Sequence, residues 1–268
     1  MVKNYLLFDS SAAIVLATLL VAASPVAAEG CRVDRYDRSA VIATVIDGDT
    51  VRLRDGSAVR LAGINAPELA HEDRNPEAFA VSSRQFLRRL LPAGSRIGLV
   101  FDVRRHDRHN RLLAHVFRIA DGENIQALML AGGMAVQFTV PPNERFIDCY
   151  RSREEHGRRI DAGIWAEFRA QSARPSPGRE GSFVQLVDDI RLVHAFRRGI
   201  QLEMASGLRV FIDRRDMRYF RALEPERWQG RRAHVRGYLG MRDSRPSLRL
   251  RHPSNIRFIE VLNGRPSS

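Results

Sequence analysis

The stretch VIATVIDGDTVRLRDGSAVRLAGINAPE, residues 41–68, decides the fold. Residues 41–46 form a β-rich run that stops at Asp47-Gly48. Residues 50–54 alternate apolar and polar side chains, and Asp55-Gly56 follows as a hairpin turn signal. Val59 and Leu61 flank Arg60, again with a period of two. Three short strands in succession therefore open the domain. Beyond Pro67, Asn75 reads as an N-cap and Pro76 as the first residue of a helix. Ala80, Phe86, Leu87, Leu90 and Leu91 keep roughly helical spacing on it. Strands are expected at 96–101 and 112–119, and further helices at about 125–132 and 145–161. Strands curling around a small core, with helices filling in, predict an α+β architecture: a five-stranded barrel of the OB type.

Further along, the pattern repeats. Residues 183–195, 199–204, 209–213, 233–239 and 247–252 read as strands, with a short helix at 216–223. Three strands, a helix and two strands again fit an OB-like domain, smaller than the first. Between the two lies QSARPSPGREGS, residues 171–182, rich in Ser, Pro, Gly and Arg and without an apolar period. The expected organisation is a first domain over 29–170, a linker over 171–182 and a second domain over 183–262. A chain of 268 residues is long enough for two such cores. Its 44% hydrophobic and 7% aromatic content excludes wholesale disorder.

Charge is unevenly divided. The chain carries 43 basic and 31 acidic residues, a net of +12, and Lys3 is its single lysine. Residues 29–170 hold 22 basic against 20 acidic residues, and residues 171–268 hold 20 against 10. The positive excess thus belongs to the C-terminal part. Arginine binds phosphate through a planar fork, so polyanions are the first partners to consider.

The first 28 residues read as an address. Lys3 is followed by the apolar run 12–23, then by Ser24-Pro25 and the small residues Val26-Ala27-Ala28. A membrane span needs roughly 20 apolar residues, so this run is too short. It reads as a signal peptide cleaved after Ala28, which predicts export to a periplasm or the exterior. The competing reading is an uncleaved anchor. Residues 28–30 before Cys31 lack the pattern of a lipobox. Cys31 and Cys149 then lie in an oxidising compartment, where they either form one bridge or stay as two unrelated thiols; spacing alone leaves both open.

The chemistry is concentrated early. Asp47-Gly48-Asp49-Thr50, then Arg60 with Asn65-Ala66-Pro67-Glu68, then Asp107-Arg108-His109-Asn110-Arg111 supply carboxylates and two separated arginines. Singly, each is a turn, a surface acid or a solvated face. Together they match the needs of phosphodiester hydrolysis: a metal ligand, a base for water, and cations for the phosphate. His106, His109 and His115 do not have a zinc spacing and read as loop and surface histidines.

With these motifs in order, residues from about 40 to 165 resemble the staphylococcal nuclease, or thermonuclease, family. Pro76-Glu77-Ala78, Pro142-Asn143 and Ile164-Trp165 add to the match. The resemblance implies an OB-fold barrel that cuts DNA and RNA with the help of Ca²⁺. It implies Asp49 and the Ala66 carbonyl as metal ligands, with Asn65 at the position of a second metal-binding aspartate. It implies Glu68 as general base, Arg60 and Arg111 as phosphate ligands, and Arg108, His109 and Phe138 as substrate contacts. Asn65 is the main departure: an amide oxygen ligates a hard cation without contributing charge. Asn110 stands where the family has Gly, and Val140 where it has a second pocket tyrosine.

Three functions follow as expectations. The first is an exported, metal-dependent nuclease, with the basic C-terminal domain holding DNA or RNA. The second is a nucleic-acid-binding protein on the same barrel, catalytically weakened by Asn65. The third is a polyanion or envelope adhesion module. Retention of Arg60, Glu68 and Arg111 together favours the first.

Overall fold

A computed structural model describes residues 31–70, 75–168 and 180–259. The predicted signal peptide and most of the predicted linker lie outside these residues. In chain order the elements are β1 (Arg38–Val45), β2 (Thr50–Leu53), β3 (Ala58–Leu61), β4 (Ile64–Asn65), α1 (Ala80–Leu90), β5 (Arg96–His106), β6 (Leu112–Arg118), α2 (Ile125–Ala131), β7 (Val136–Gln137), α3 (Ile147–Arg159) and α4 (Ile164–Glu167). They continue with β8 (Phe183–Phe196), β9 (Gly199–Met204), β10 (Arg209–Asp213), β11 (Arg232–Arg242), β12 (Arg245–Arg249) and β13 (Ile256–Ile259).

The first barrel closes in the order β1-β2-β3-β6-β5. All its pairs are antiparallel except β3 with β6, which run parallel. Period-two alternation produces it: Ile42, Val45, Val51, Leu53, Val59, Leu61, Ile97 and Leu99 all point into one core. The second part repeats the topology. β8 is long enough to pair with β11 over its first half and β9 over its second. β9 continues to β10, β10 runs parallel to β12, and β12 returns to the end of β11. That closes a second five-stranded barrel, with β13 added on β11. The expected pair of OB-type barrels is present.

Local differences have identifiable causes. The helix expected from Asn75 begins at Ala80, after Phe79 in a left-handed conformation. Residue 77 is held elsewhere: the Glu77 N–H donates to the Glu68 carbonyl at 2.9 Å, and the Glu68 N–H donates to Glu77 Oε2 at 3.1 Å. The helix expected at 216–223 is two short 3-10 turns, Met217–Tyr219 and Arg221–Leu223, with a third at Pro225–Arg227. The β4–β7 ladder, α4 and β13 were not anticipated. Cys31 and Cys149 are bridged, tying the start of the described chain to α3 across 118 residues.

The two barrels share a buried contact surface. Asn255 accepts from the Thr139 N–H at 3.0 Å and donates to its carbonyl at 2.8 Å. Arg236 of β11 forks onto Glu154 of α3, at 2.5 and 2.9 Å, with both side chains 5% exposed. Phe138, Phe183 and Tyr238 meet edge-to-face, with centroids 4.9 to 5.7 Å apart. No helix of the described residues is long and apolar enough to cross a membrane.

Candidate active site

The turn between β1 and β2 delivers Asp49. Its N–H donates to Asp47 Oδ1 at 2.9 Å, an Asx-type turn that aims the Asp49 carboxylate inward. Gly48 is required there, because a Cβ would come within 2.6 Å of the Ala66 Cβ and 2.8 Å of the Ser83 Cβ. Asp49 is buried, and its Oδ2 accepts from the Ala66 N–H at 2.8 Å. The same oxygen lies 2.8 Å from Arg60 Nη2.

Arg60 projects from β3 and organises the next segment. Nη1 donates to the carbonyls of Leu61 and Ile64, at 2.7 and 3.0 Å. Nη2 donates to Asn65 Oδ1 at 2.9 Å. Asn65 Nδ2 in turn donates to the Ala66 carbonyl at 3.2 Å. Asp49, Arg60, Asn65 and Ala66, singled out from sequence, are therefore brought into direct contact. The Arg60 fork is spent on protein acceptors, so Arg60 assembles the site as much as it offers charge.

Glu68 follows on the same segment, fixed by its two backbone bonds to Glu77. Its charge acts on Asp49, Arg60 and Tyr238. Burial pushes the Asp49 carboxyl up to about 7; Arg60 and the Ala66 N–H pull against this, while Asp47 and Glu68 add to it.

Arg111 enters from the loop between β5 and β6. Asp107 shapes that loop by accepting from the N–H groups of His109 and Arg111, at 2.8 and 2.9 Å. Asn110 has a φ of 61°, the left-handed turn that suits Asn where Gly is absent. Asp107 also pairs with Arg111 Nε at 2.7 Å. Arg111 Nη1 reaches Thr50 Oγ1 at 3.4 Å, and Thr50 Oγ1 donates to Asp49 Oδ1 at 3.2 Å, so the loop and the Asp49 turn are linked. Among the described residues no three His, Cys, Asp or Glu side chains converge on one position.

A cleft of about 600 Å³ opens beside these groups; Arg60, Asp107 and Arg111 line it, while Asp49, Asn65 and Ala66 do not. Arg60, Arg108, His109, Arg111 and Phe138 line it from the first barrel. Phe138 is 9% exposed and covered by Phe183 and Tyr238, so little of its ring is open for stacking. The opposite wall comes from the second barrel: Tyr238, Leu239, Gly240, Arg249 and Arg251. The Tyr238 hydroxyl donates to Asn65 Oδ1 at 3.0 Å. Sequence reading placed Asp107 in the loop motif and Glu77 in the Pro76-Glu77-Ala78 match without giving either a part in the site, and it missed Tyr238 there altogether.

The oxygens on offer to a cation are the Asp49 carboxylate, the Asn65 amide and the Ala66 carbonyl. Oxygen-only donors beside the negative charges of Asp47 and Glu68 suit a hard divalent ion. One ligand charge makes the fit a weak one, and Arg60 competes for it.

Residues 58–167 match the model of the staphylococcal nuclease homologue family. The match spans β3 to α4, and so takes in part of the first barrel and the helices around it. The chain is 29% identical to endonuclease YncB of Bacillus subtilis (strain 168) over 127 residues, which are 46% of this chain and 59% of that protein. It is 28% identical to the SPbeta prophage-derived endonuclease YokF of the same strain over 127 residues, 46% of this chain and 42% of that protein. It is 30% identical to the probable endonuclease LCL3 of Leptosphaeria maculans over 115 residues, 41% and 37% of the two chains. The chain therefore spans less than two thirds of the length of each of these relatives.

Proposed function

We propose that this chain is an exported, metal-dependent nuclease that hydrolyses phosphodiester bonds in DNA or RNA. The carrying observation is the assembly of Asp49, Arg60, Asn65 and Ala66 by direct bonds, with Glu68 within electrostatic range and Arg111 in the adjoining cleft. Relatives named as endonucleases support the same reading.

Each residue has a part to play. Glu68 takes a proton from water as its oxygen attacks phosphorus, and the P–O bond to the leaving oxygen breaks. Arg111, with about a third of its side chain exposed, faces the phosphate and its developing charge. Arg60 holds the Asp49 carboxylate and the Asn65 amide in place. Asp49, Asn65 and Ala66 would hold Ca²⁺, which when bound supplies positive charge to the phosphate. Arg108 and His109 sit at the cleft mouth as substrate contacts. The bridge between Cys31 and Cys149 and the signal-like residues 1–28 support export, with a mature chain starting at Glu29.

The test is digestion of single- and double-stranded DNA and of RNA by the purified mature chain, with Ca²⁺ and with chelator. Cleavage in Ca²⁺ alone supports the proposal. One observation favours a second reading: the neutral amide at 65, held by Arg60 and Tyr238, leaves a single ligand charge. Tight binding without cleavage in any divalent cation would establish that catalytically weakened binder instead.

A further inference from the structure

The second barrel has a groove of its own. It is a cavity of about 880 Å³ on the outer face of β9 and β10. At its rims are the β8–β9 turn, with Arg197 and Arg198, and the end of β11, with Arg242. In OB-type barrels this face, between the first and the last strand connections, is where an oligomer lies.

Its surface chemistry is specific. Arg197, Arg198 and Arg242 are exposed and, among the described residues, form no ion pair. The Arg242 guanidinium sits over the Phe211 ring, 4.5 Å from its centroid. Phe196 is 57% exposed on the rim of the β8–β9 turn, and Met241 is 48% exposed on the β11 rim. Unpaired guanidinia beside open apolar and aromatic faces suit a strand whose bases are free to stack. A duplex hides its base faces, so the apolar half of this groove would have no use for one.

This groove also meets the catalytic cleft. Arg249 lines both cavities. It points out of β12, held by Asp216 at 2.6 Å and Asp213 at 3.4 Å, and two residues on Arg251 lines the cleft side. From there the cleft runs to Arg60 and Arg111, with Tyr238 on its wall.

We propose that the second barrel binds single-stranded nucleic acid in this groove and that the groove and the catalytic cleft form one track, with one strand crossing both barrels at Arg249. The assignment of the second cavity as catalytic rests on the nuclease reading above; the binding claim for the first does not.

The test is binding of labelled single strands, DNA and RNA, of 4 to 16 nucleotides, about the range an OB-type barrel covers, and of a blunt duplex. The full mature chain is used in chelator, so that hydrolysis is not required. Single strands should bind more tightly than the duplex, and affinity should rise with length. One 16-nucleotide strand should bind per chain by calorimetry. The double variant Arg198→Ala/Arg242→Ala removes two exposed cations and no core contact. It should lower the slope of log affinity against log salt by about 1.4, and affinity at 0.1 M salt by on the order of 20-fold, at about 0.7 per phosphate contact on a single strand. An unchanged slope, or a duplex bound as tightly as the strand, overturns the groove. Two long strands bound per chain overturn the continuous track. Absence of hydrolysis by the intact chain would remove the nuclease reading and leave these binding results standing.

Discussion

Asn65 is the residue on which metal affinity turns. Its Oδ1 accepts from Arg60 and from Tyr238 of the other barrel, and its Nδ2 occupies the Ala66 carbonyl. Asn65→Asp keeps the shape and both donors, and adds one charge within ligand distance of Asp49. Ligand charge is among the terms that tune Ca²⁺ affinity over decades, so Ca²⁺ should bind about 10-fold more tightly. Calorimetric titration of both proteins reads this directly, and equal affinities would remove position 65 from the ligand set. Glu68 has a different test. Glu68→Gln keeps the backbone bonds to Glu77 and loses the base together with its charge on Asp49 and Arg60, so turnover should fall about 10²–10⁴-fold. Substrate affinity in chelator should not move. Turnover within a few-fold of the unaltered chain would take Glu68 out of the reaction.

At the level of elements, α3 and β11 carry the joint between the barrels. Burial alone would raise the Glu154 carboxyl, but Arg236, Arg158 and the Gln137 N–H together hold it below its usual range. Removing one partner of such a pair strands a buried charge. Glu154→Ala should therefore cost about 3–5 kcal/mol, measured by denaturant unfolding. The double variant Glu154→Leu/Arg236→Met should recover part of that loss, because only Arg158, whose side chain is 18% exposed, is left without its carboxylate. A double variant as unstable as the single one would show that packing, not charge, sets the cost. This joint was not legible in the sequence. The strands were, since alternation and Asp-Gly turns are local signals, and the early strand bounds agree with the barrel to within a few residues. The start of α1 was misread because a tertiary bond, Glu77 to Glu68, overrides Asn75-Pro76 as a cap. Asp49, Arg60, Asn65 and Ala66 were legible because their motifs are contiguous. Tyr238 was not, since its contact with Asn65 spans 173 residues and depends on how two barrels dock.

The whole molecule should be labile to acid, and the sign follows from three buried histidines. His115 is pushed down to about 3 by burial and sits against the Tyr150 hydroxyl at 2.7 Å. His252 is pushed down to about 4, and His234 well below its usual value, in both cases chiefly by burial and then by neighbouring arginines. All three stay neutral in the folded chain across mildly acidic pH. In the unfolded chain they take up protons as pH falls through about 6.5. The unfolded state then binds more protons, so stability falls with pH from about 6.5 towards 4. Asp49 acts the other way: its folded value near 7 lies above the unfolded one, so it binds a proton in the folded state first and offsets one histidine over that window. A net uptake of about two protons on unfolding remains, or roughly 2–3 kcal/mol per pH unit at the steepest. Below about 4.5 the depressed Glu154 carboxyl adds to the loss, and with it the joint between the barrels loosens. Urea unfolding in chelator at half-unit steps from pH 8 to 5 measures the slope. His115→Gln, which keeps a polar group for Tyr150 without a titrating ring, should flatten it by about one proton. A stability curve level across that range would mean that these histidines are not buried neutral, and that the docked arrangement around His234 and His252 is looser than the contacts at Arg236 and Asn255 require.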